Sequence, residues 1–128
     1  MTDSDQAVHL VVPAEARFLR LARLTAAGLA SDLGFGVAEL DDLRIAVDEA
    51  CAVLLASPAA AGAQLELMYR TAGDEVVIEG SCPGDARGPV DLHPVARELL
   101  RLTADEHEID AEGGRWRFRL VKRTNRPA

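Results

Sequence analysis

Two stretches of the chain repeat apolar residues every three or four positions, which is the spacing of a buried helix face. The first ends at Gly34-Phe35-Gly36, and the second holds more apolar residues than one buried face requires and stops before Pro58. The repeating positions of the first are Phe18, Leu21, Thr25 and Leu29. These patterns predict helices over residues 14–33 and 38–57, and a third helix is expected over residues 94–103.

Other segments show the two-residue alternation or the β-rich composition of strands. A β-rich run over residues 8–12 predicts a short first strand. Residues 65–71 alternate between apolar and polar side chains, and Gly73-Asp74 provides a turn into a second strand. In the resulting hairpin we expect Tyr69 to face Ile78 and Thr71 to face Val76.

The last hairpin has the clearest local pattern, because its charges alternate with its apolar residues. A turn at Glu112-Gly113 would oppose acidic and basic side chains on one face. The expected pairs are Asp110 with Arg115, Glu108 with Arg117, Glu106 with Arg119, Ile109 with Trp116 and His107 with Phe118. The arginine ladder is explained by these pairs, and a binding role is the alternative.

The order of these elements predicts an α+β fold. We expect a two-layer sandwich in which a mixed sheet of about five strands carries three helices on one face, in the order β-α-α-β-β-α-β-β. A single domain would span residues 7–123, with residues 1–6 and 124–128 as flexible termini. A loop over residues 80–89 would separate the two hairpins, and its length predicts a lid, a binding loop or a disordered segment.

Composition and charge narrow the range of partners. The chain has 128 residues, is 48% hydrophobic and carries a net charge of −7. This charge disfavours nucleic acid and anionic membranes as partners, and the polar, acidic amino terminus is unlike a secretory signal. We expect a cytoplasmic protein with free thiols at Cys51 and Cys82, and no His or Cys has the spacing of metal ligands.

The second helix carries the most informative motif, Leu43-Arg44-Ile45-Ala46-Val47-Asp48-Glu49-Ala50. Together with the order of elements and the terminal strand at residues 117–123, it resembles the GHKL ATPase fold. Within that superfamily the chain is similar to anti-sigma factors of the RsbW type, especially those of actinobacteria. Members of this family are serine-protein kinases that also sequester a sigma factor. The resemblance covers residues 7–123.

Three nucleotide-binding motifs of this family are altered here. The helical Glu-x-x-x-Asn motif reads Glu49 to Val53, so the magnesium ligand is replaced by an aliphatic side chain. The adenine motif Asp-x-Gly-x-Gly reads Gly80-Ser81-Cys82-Pro83-Gly84, which keeps only its last glycine. The glycine-rich lid corresponds to residues 90–96, which contain no glycine and place Asp91 where phosphates would lie.

These replacements predict weak nucleotide binding. An unpaired adenine amino group alone costs about 1–3 kcal/mol, and with the other losses the affinity should fall by about a thousandfold. We therefore expect no cofactor and no resident metal. Glu49 occupies the position of the family's catalytic base and is interpreted as a relic. Under the alternative of an active kinase, Mg-ATP would require substitute ligands such as Asp48, Asp85 or Asp91.

The first helix offers a surface for protein binding. Arg17, Arg20 and Arg23 recur at three-residue spacing on an acidic protein, and Leu19 and Leu24 flank them. In the family this helix contacts both the sigma factor and its antagonist, and Arg23 matches a position implicated in those contacts. The alternative is an ordinary solvated face with Glu15 nearby.

The resulting hypothesis is a bacterial anti-sigma factor. It would hold a sigma factor away from RNA polymerase, release it to a STAS-type antagonist, and dimerise through its sheet as family members do. Two alternatives remain: a serine-protein kinase that phosphorylates the antagonist, and a redox sensor that uses Cys51 and Cys82.

Overall fold

Five strands and three helices form the part of the chain that the computed structural model describes, which is residues 7–56, 62–84 and 90–124. The helices are α1 (Leu19–Asp32), preceded by a short 3-10 turn (Ala16–Phe18), α2 (Val37–Ala56) and α3 (Pro94–Thr103). The strands are β1 (Ala7–Pro13), β2 (Gln64–Ala72), β3 (Glu75–Pro83), β4 (Glu106–Glu112) and β5 (Arg115–Arg123). The predicted α+β class is confirmed. The predicted flexible termini lie outside the described residues, apart from Thr124, whose amide donates to the Asp74 carbonyl at 2.9 Å.

All five strands belong to one sheet in the order β1-β2-β3-β5-β4, and every neighbouring pair is antiparallel. The prediction of a mixed sheet is therefore wrong. The helical hairpin of α1 and α2 connects the end of β1 to the beginning of β2. Strand β2 therefore lies beside β1 and runs antiparallel to it. After α3, β4 runs in the same direction as β3. The neighbour of β3 in the sheet is β5, however, and these two strands pair antiparallel.

One face of the sheet forms the core. Alternate strand residues are buried there, and they are Leu65, Leu67, Tyr69, Val76, Ile78, Cys82, Phe118 and Leu120. The Tyr69 hydroxyl donates to the Ala22 carbonyl at 3.0 Å, which fixes α1 on this face. Tyr69 faces Ile78 and Thr71 faces Val76, as predicted. At the carboxyl end of β5, buried Lys122 lies 3.6 Å from Asp42 and ties α2 to the sheet.

The buried face of α1 is displaced by one residue from the prediction. Its buried residues are Leu19, Ala22, Ala26 and Ala30, whereas Leu21 is 39% exposed. Alanines carry little hydrophobic signal in a sequence, yet their small side chains let a helix approach its neighbours closely. The larger apolar residues of α1 therefore lie at the edge of its buried face, and the alanines lie at its centre.

The last hairpin folds in a register two residues away from the predicted one. Its turn is Gly113-Gly114, with φ of 61° and 76°, because a two-residue hairpin turn of this type needs positive φ at both positions. Asp110 consequently faces Arg117, Glu108 faces Arg119 and Ile109 faces Phe118. A register shift of two residues keeps each side chain on its predicted face of the sheet. The charged side chains therefore share one face as predicted, but each is opposite a different residue.

Strand β3 is longer than predicted. Residues 80–83, expected to begin a loop, continue the strand and pair with β5, with Gly80 opposite Phe118 and Cys82 opposite Trp116. The nine residues of β5 supply backbone partners over this length, which satisfies the amide and carbonyl groups of these residues. The rest of the predicted loop, residues 85–89, lies outside the described residues. None of the described helices has the length and apolarity needed to cross a bilayer.

The turn at Gly113 can be tested by paired substitutions. Gly113→Val should lower the free energy of unfolding by about 1–2 kcal/mol, since a β-branched residue is strained at positive φ. Gly113→Asn should leave it nearly unchanged, because Asn-Gly suits the same turn. Urea denaturation followed by circular dichroism measures both, and equal midpoints for the two variants would contradict the observed register.

Candidate functional site

The middle of α2 carries the two residues for which the sequence predicts an altered magnesium motif. Glu49 and Val53 are both half-buried and lie one helical turn apart. The neighbouring carboxylate of Asp48 is already engaged, because it accepts a hydrogen bond from Arg23 Nη1 at 2.7 Å. Within the described ranges, no group of three or more His, Cys, Asp or Glu side chains is arranged to hold a metal ion.

At Gly80, where the sequence predicts the loss of an adenine-binding aspartate, an aromatic ring covers the backbone. Gly80 lies opposite Phe118 across the β3–β5 pair, and a Cβ atom at residue 80 would lie 2.3 Å from Phe118 Cε2 and 2.5 Å from Cζ. Real Cβ atoms do not approach other heavy atoms so closely. An aspartate therefore cannot occupy residue 80 while Phe118 keeps this position.

The glycine that survives from the same motif is also covered by an aromatic side chain. A Cβ atom at Gly84 would lie 2.4 Å from Cδ1 and 2.7 Å from Nε1 of Trp116. Among the described residues, Trp116 Nε1 is buried and has no hydrogen-bond partner. Gly84 is thus needed for packing against the indole, which gives this residue a structural role independent of any nucleotide.

Trp116 and Phe118 line the candidate site, and the sequence interpretation missed them. It placed both in the last hairpin only, opposite β4. The available signal was the size complementarity between two glycines and two aromatic residues, Gly80 with Phe118 and Gly84 with Trp116. That signal becomes readable only when β3 is known to pair with β5.

The segment that the sequence predicts to replace the family's lid, residues 90–96, leads into α3. His93 caps this helix, because its Nδ1 atom accepts a hydrogen bond from the Val95 amide at 3.1 Å. One amide that could face a phosphate is therefore satisfied by the chain itself. Exposed Asp91 lines the shallow cleft in front of the helix together with His93 and Arg97, and Asp85 lies outside the described residues.

The three arginines of the first helix differ in their surroundings. Arg17, in the 3-10 turn, is exposed, pairs with Glu15 at 3.2 Å, and stacks over the Phe18 ring at 4.6 Å. Arg20 is exposed and makes no hydrogen bond or ion pair with the described part of the chain. Arg23 is half-buried in its pair with Asp48 and joins α1 to α2.

The leucines beside these arginines also differ. Leu24 is 65% exposed and Leu21 is 39% exposed, so both lie on the solvent side of α1. Leu19, expected to flank the arginines, belongs instead to the core at 8% exposure, because it heads the buried alanine row. We define the α1 surface as Arg17, Arg20, Leu21 and Leu24.

The outer face of the sheet holds the arginine ladder and a cavity of about 360 Å³. Arg117 pairs with Asp110 at 2.9 Å and with Glu112 at 2.6 Å, and the hydrogen bond that Arg117 donates to Asp110 is the main cause that raises the pKa of Arg117. Arg115 donates to Glu66 and to Ser81. Since these charges neutralise one another, the face needs no ligand to explain its composition.

Both cysteines are buried on the core side of the molecule. Burial raises the pKa of Cys51 from 9.0 to about 12, and the Asp48 carboxylate raises it further while Arg23 opposes the shift. Burial also raises the pKa of Cys82, with Arg115 opposing. Thiols with raised pKa values hold little thiolate at neutral pH, which disfavours the redox-sensor alternative.

Comparison with known proteins gives matches that cover part of the chain. No family model matches the chain. Matching relatives include the serine-protein kinase RsbW of Bacillus mycoides strain KBAB4, Bacillus thuringiensis strain Al Hakam and Bacillus cereus strain B4264. Each is 35% identical over 51 residues, which is 40% of this chain and 32% of the relative.

The match spans about a third of the length of these curated relatives. It supports a relationship to RsbW-type serine-protein kinases over that segment. The α+β fold, with its five-stranded sheet and three helices, is compatible with that relationship.

The packing of Phe118 on Gly80 can be tested by adding a methyl group. Gly80→Ala should lower the free energy of unfolding by about 1–3 kcal/mol because the new Cβ displaces a buried ring. Gly28→Ala is the matched control, since Gly28 is an exposed helical residue with nothing within 4 Å of the added Cβ. It should stabilise by about 0.5–1 kcal/mol.

Urea denaturation monitored by circular dichroism measures both variants. The double variant Gly80→Ala with Phe118→Leu should recover part of the loss, because the smaller side chain vacates the space that the methyl group needs. If Gly80→Ala is as stable as the unsubstituted chain, the described contact is absent.

Proposed function

We propose that this protein is an anti-sigma factor that sequesters a sigma factor by direct binding and releases it to a STAS-type antagonist, without efficient use of ATP. The relationship to RsbW-type kinases supports the family assignment. The packing of Phe118 against Gly80 supports the second part, because an aspartate at residue 80 would collide with the ring.

Each of the altered residues lowers the expected affinity for Mg-ATP. Adenine recognition loses a buried hydrogen bond, worth about 1–3 kcal/mol, and the ring also obstructs the place where that bond would form. Val53 offers no oxygen to magnesium, and Asp91 opposes a polyphosphate. Glu49 can then act as a base only if a nucleotide binds by another arrangement.

The α1 surface is the proposed docking site for the sigma factor. Arg20 has no partner among the described residues and is exposed next to two exposed leucines. A free guanidinium beside apolar side chains suits an acidic, amphipathic partner surface, since the charge directs association and the leucines contribute buried area. Arg23 would be a positioning residue, because it is bound to Asp48 and holds α1 against α2.

The antagonist would release the sigma factor by taking a surface that overlaps the α1 surface. Control would then depend on the concentration or modification of the partners, since binding competition requires no phosphoryl transfer. The same resemblance supports a homodimer in the cytoplasm. No nucleic acid, membrane or resident metal is part of the proposal.

A serine-protein kinase remains the second candidate, and two observations favour it. The relatives are named serine-protein kinases, and Glu49 is retained on α2 with partial exposure. Such a kinase would need new magnesium ligands, for which Asp91 is available and Asp48 is already paired.

Phosphoryl transfer separates the two candidates. With labelled Mg-ATP and the purified STAS antagonist, this protein should transfer no phosphate above background, because the adenine and magnesium positions are filled by apolar groups. RsbW from Bacillus cereus with its own antagonist serves as the positive control. Transfer that disappears in Glu49→Ala would establish the kinase.

Charge reversal on α1 tests the docking site. Arg20→Glu should weaken binding of the sigma factor by about tenfold or more, since a favourable charge becomes a repulsive one. Arg44→Glu is the matched control, because Arg44 is also exposed on a helix but pairs with Asp41 at 3.0 Å. Titration calorimetry with the purified sigma factor measures both affinities, and equal losses would place the docking site elsewhere.

A further inference from the structure

Helix α2 lies between the other two helices, and its two flanks carry different ion pairs. It packs against α1 on one side and against α3 on the other. Asp48 marks the α1 flank, since it pairs with Arg23. Asp42 marks the opposite flank, since it reaches Lys122 on β5, which neighbours β4, and α3 packs on β4. Glu49 follows Asp42 by two helical turns and therefore lies on the α3 flank.

An apolar row of α3 faces this flank of α2. Leu99 is half-buried, and Val95 and Leu102 lie on the same side of α3, four residues before it and three residues after it. Arg97 lies on the opposite side of α3 and is exposed. Because α2 is the helix that packs against α3, the more buried side of α3 is the side that faces α2.

The space between α2 and α3 is a groove with open apolar walls. We define the α2–α3 groove by a row on each helix, Ile45, Glu49 and Val53 on α2 and Val95, Leu99 and Leu102 on α3. Three of its apolar residues are well exposed, Ile45 at 40%, Val95 at 59% and Leu102 at 60%. Glu49 is the one charged member of the set. It is half-buried and makes no hydrogen bond or ion pair with the described residues.

We propose that the α2–α3 groove binds an amphipathic helix of a partner protein, and that a Lys or Arg of this helix pairs with Glu49. Each row of the groove is about 10–12 Å long at 1.5 Å per residue. That length matches the apolar anchors of a docked helix, which recur at positions i, i+4 and i+7. The anchors cover the exposed residues of both rows, and the cation lies between them.

Charge selects a basic helix for this groove. An apolar helix that covered Glu49 would leave a carboxylate buried without a partner, which is strongly unfavourable. The net charge of −7 on the chain also attracts a basic partner and repels a second copy. The α1 surface, with its arginines, has the opposite preference. The groove is therefore a second docking surface, and this inference does not rest on sigma-factor binding at the α1 surface.

Selection from a displayed library of helical peptides tests the proposal on the full chain. The library fixes leucine at positions i, i+4 and i+7 and randomises the positions between them. Enriched peptides should carry Arg or Lys beside the leucines. In fluorescence anisotropy, Leu102→Glu should raise the dissociation constant of an enriched peptide by about tenfold or more. Val37→Glu is the matched control, because Val37 is 78% exposed at the start of α2, outside the groove.

A double-mutant cycle tests the ion pair. Glu49→Gln should weaken binding by about tenfold, and so should replacement of the peptide's cation by glutamine. The two changes together should cost little more than either alone, because both remove the same ion pair. Circular dichroism verifies that Glu49→Gln and Leu102→Glu remain folded.

Four results would overturn the proposal. They are a selection that enriches no cationic helix, equal affinities of Leu102→Glu and Val37→Glu for the peptide, and fully additive losses in the cycle. The fourth is a dimer of the unsubstituted chain that Leu102→Glu dissociates in sedimentation velocity, since the occupant of the groove would then be a second copy.

Discussion

The contact between the Phe118 ring and the backbone of Gly80 determines what this end of the sheet can hold. The two residues face each other across the β3–β5 pair, and no side chain fits at residue 80 unless the ring moves. Trp116 makes a similar contact with Gly84 further along the same strands. Together the two rings pack against the backbone at residues 80 and 84, so the need for glycine at both positions has one physical cause.

The helices are positioned by polar contacts as well as by the core. Tyr69 fixes α1 through the Ala22 carbonyl, Arg23 joins α1 to Asp48 of α2, and Lys122 joins β5 to Asp42. These contacts hold α1 against α2 and the sheet, and Arg20 and Leu24 of α1 face solvent. A surface held in this way suits a protein that acts by binding, since little order has to be created when a partner docks.

The sequence predicted the elements better than their arrangement. The third helix and the first hairpin were predicted correctly because caps, turns and alternation are local signals. The antiparallel β3–β5 pair, the register at Gly113-Gly114 and the alanine face of α1 depend on long-range packing or on residues with weak hydrophobic signal. The replacements at Val53 and Gly80 were visible in the sequence, but the rings that fill the space were not.

The single tryptophan of the chain gives the most direct measurement of the central claim. Trp116 Nε1 lies against Gly84, so its indole N–H resonance in an NMR spectrum reports on the position proposed to be a former adenine site. Titration with Mg-ATP to millimolar concentration should leave this resonance unchanged apart from a small, unsaturable drift. A saturable shift at micromolar Mg-ATP would show that the nucleotide still enters, and the assignment of a binding protein without efficient ATP use would then be wrong.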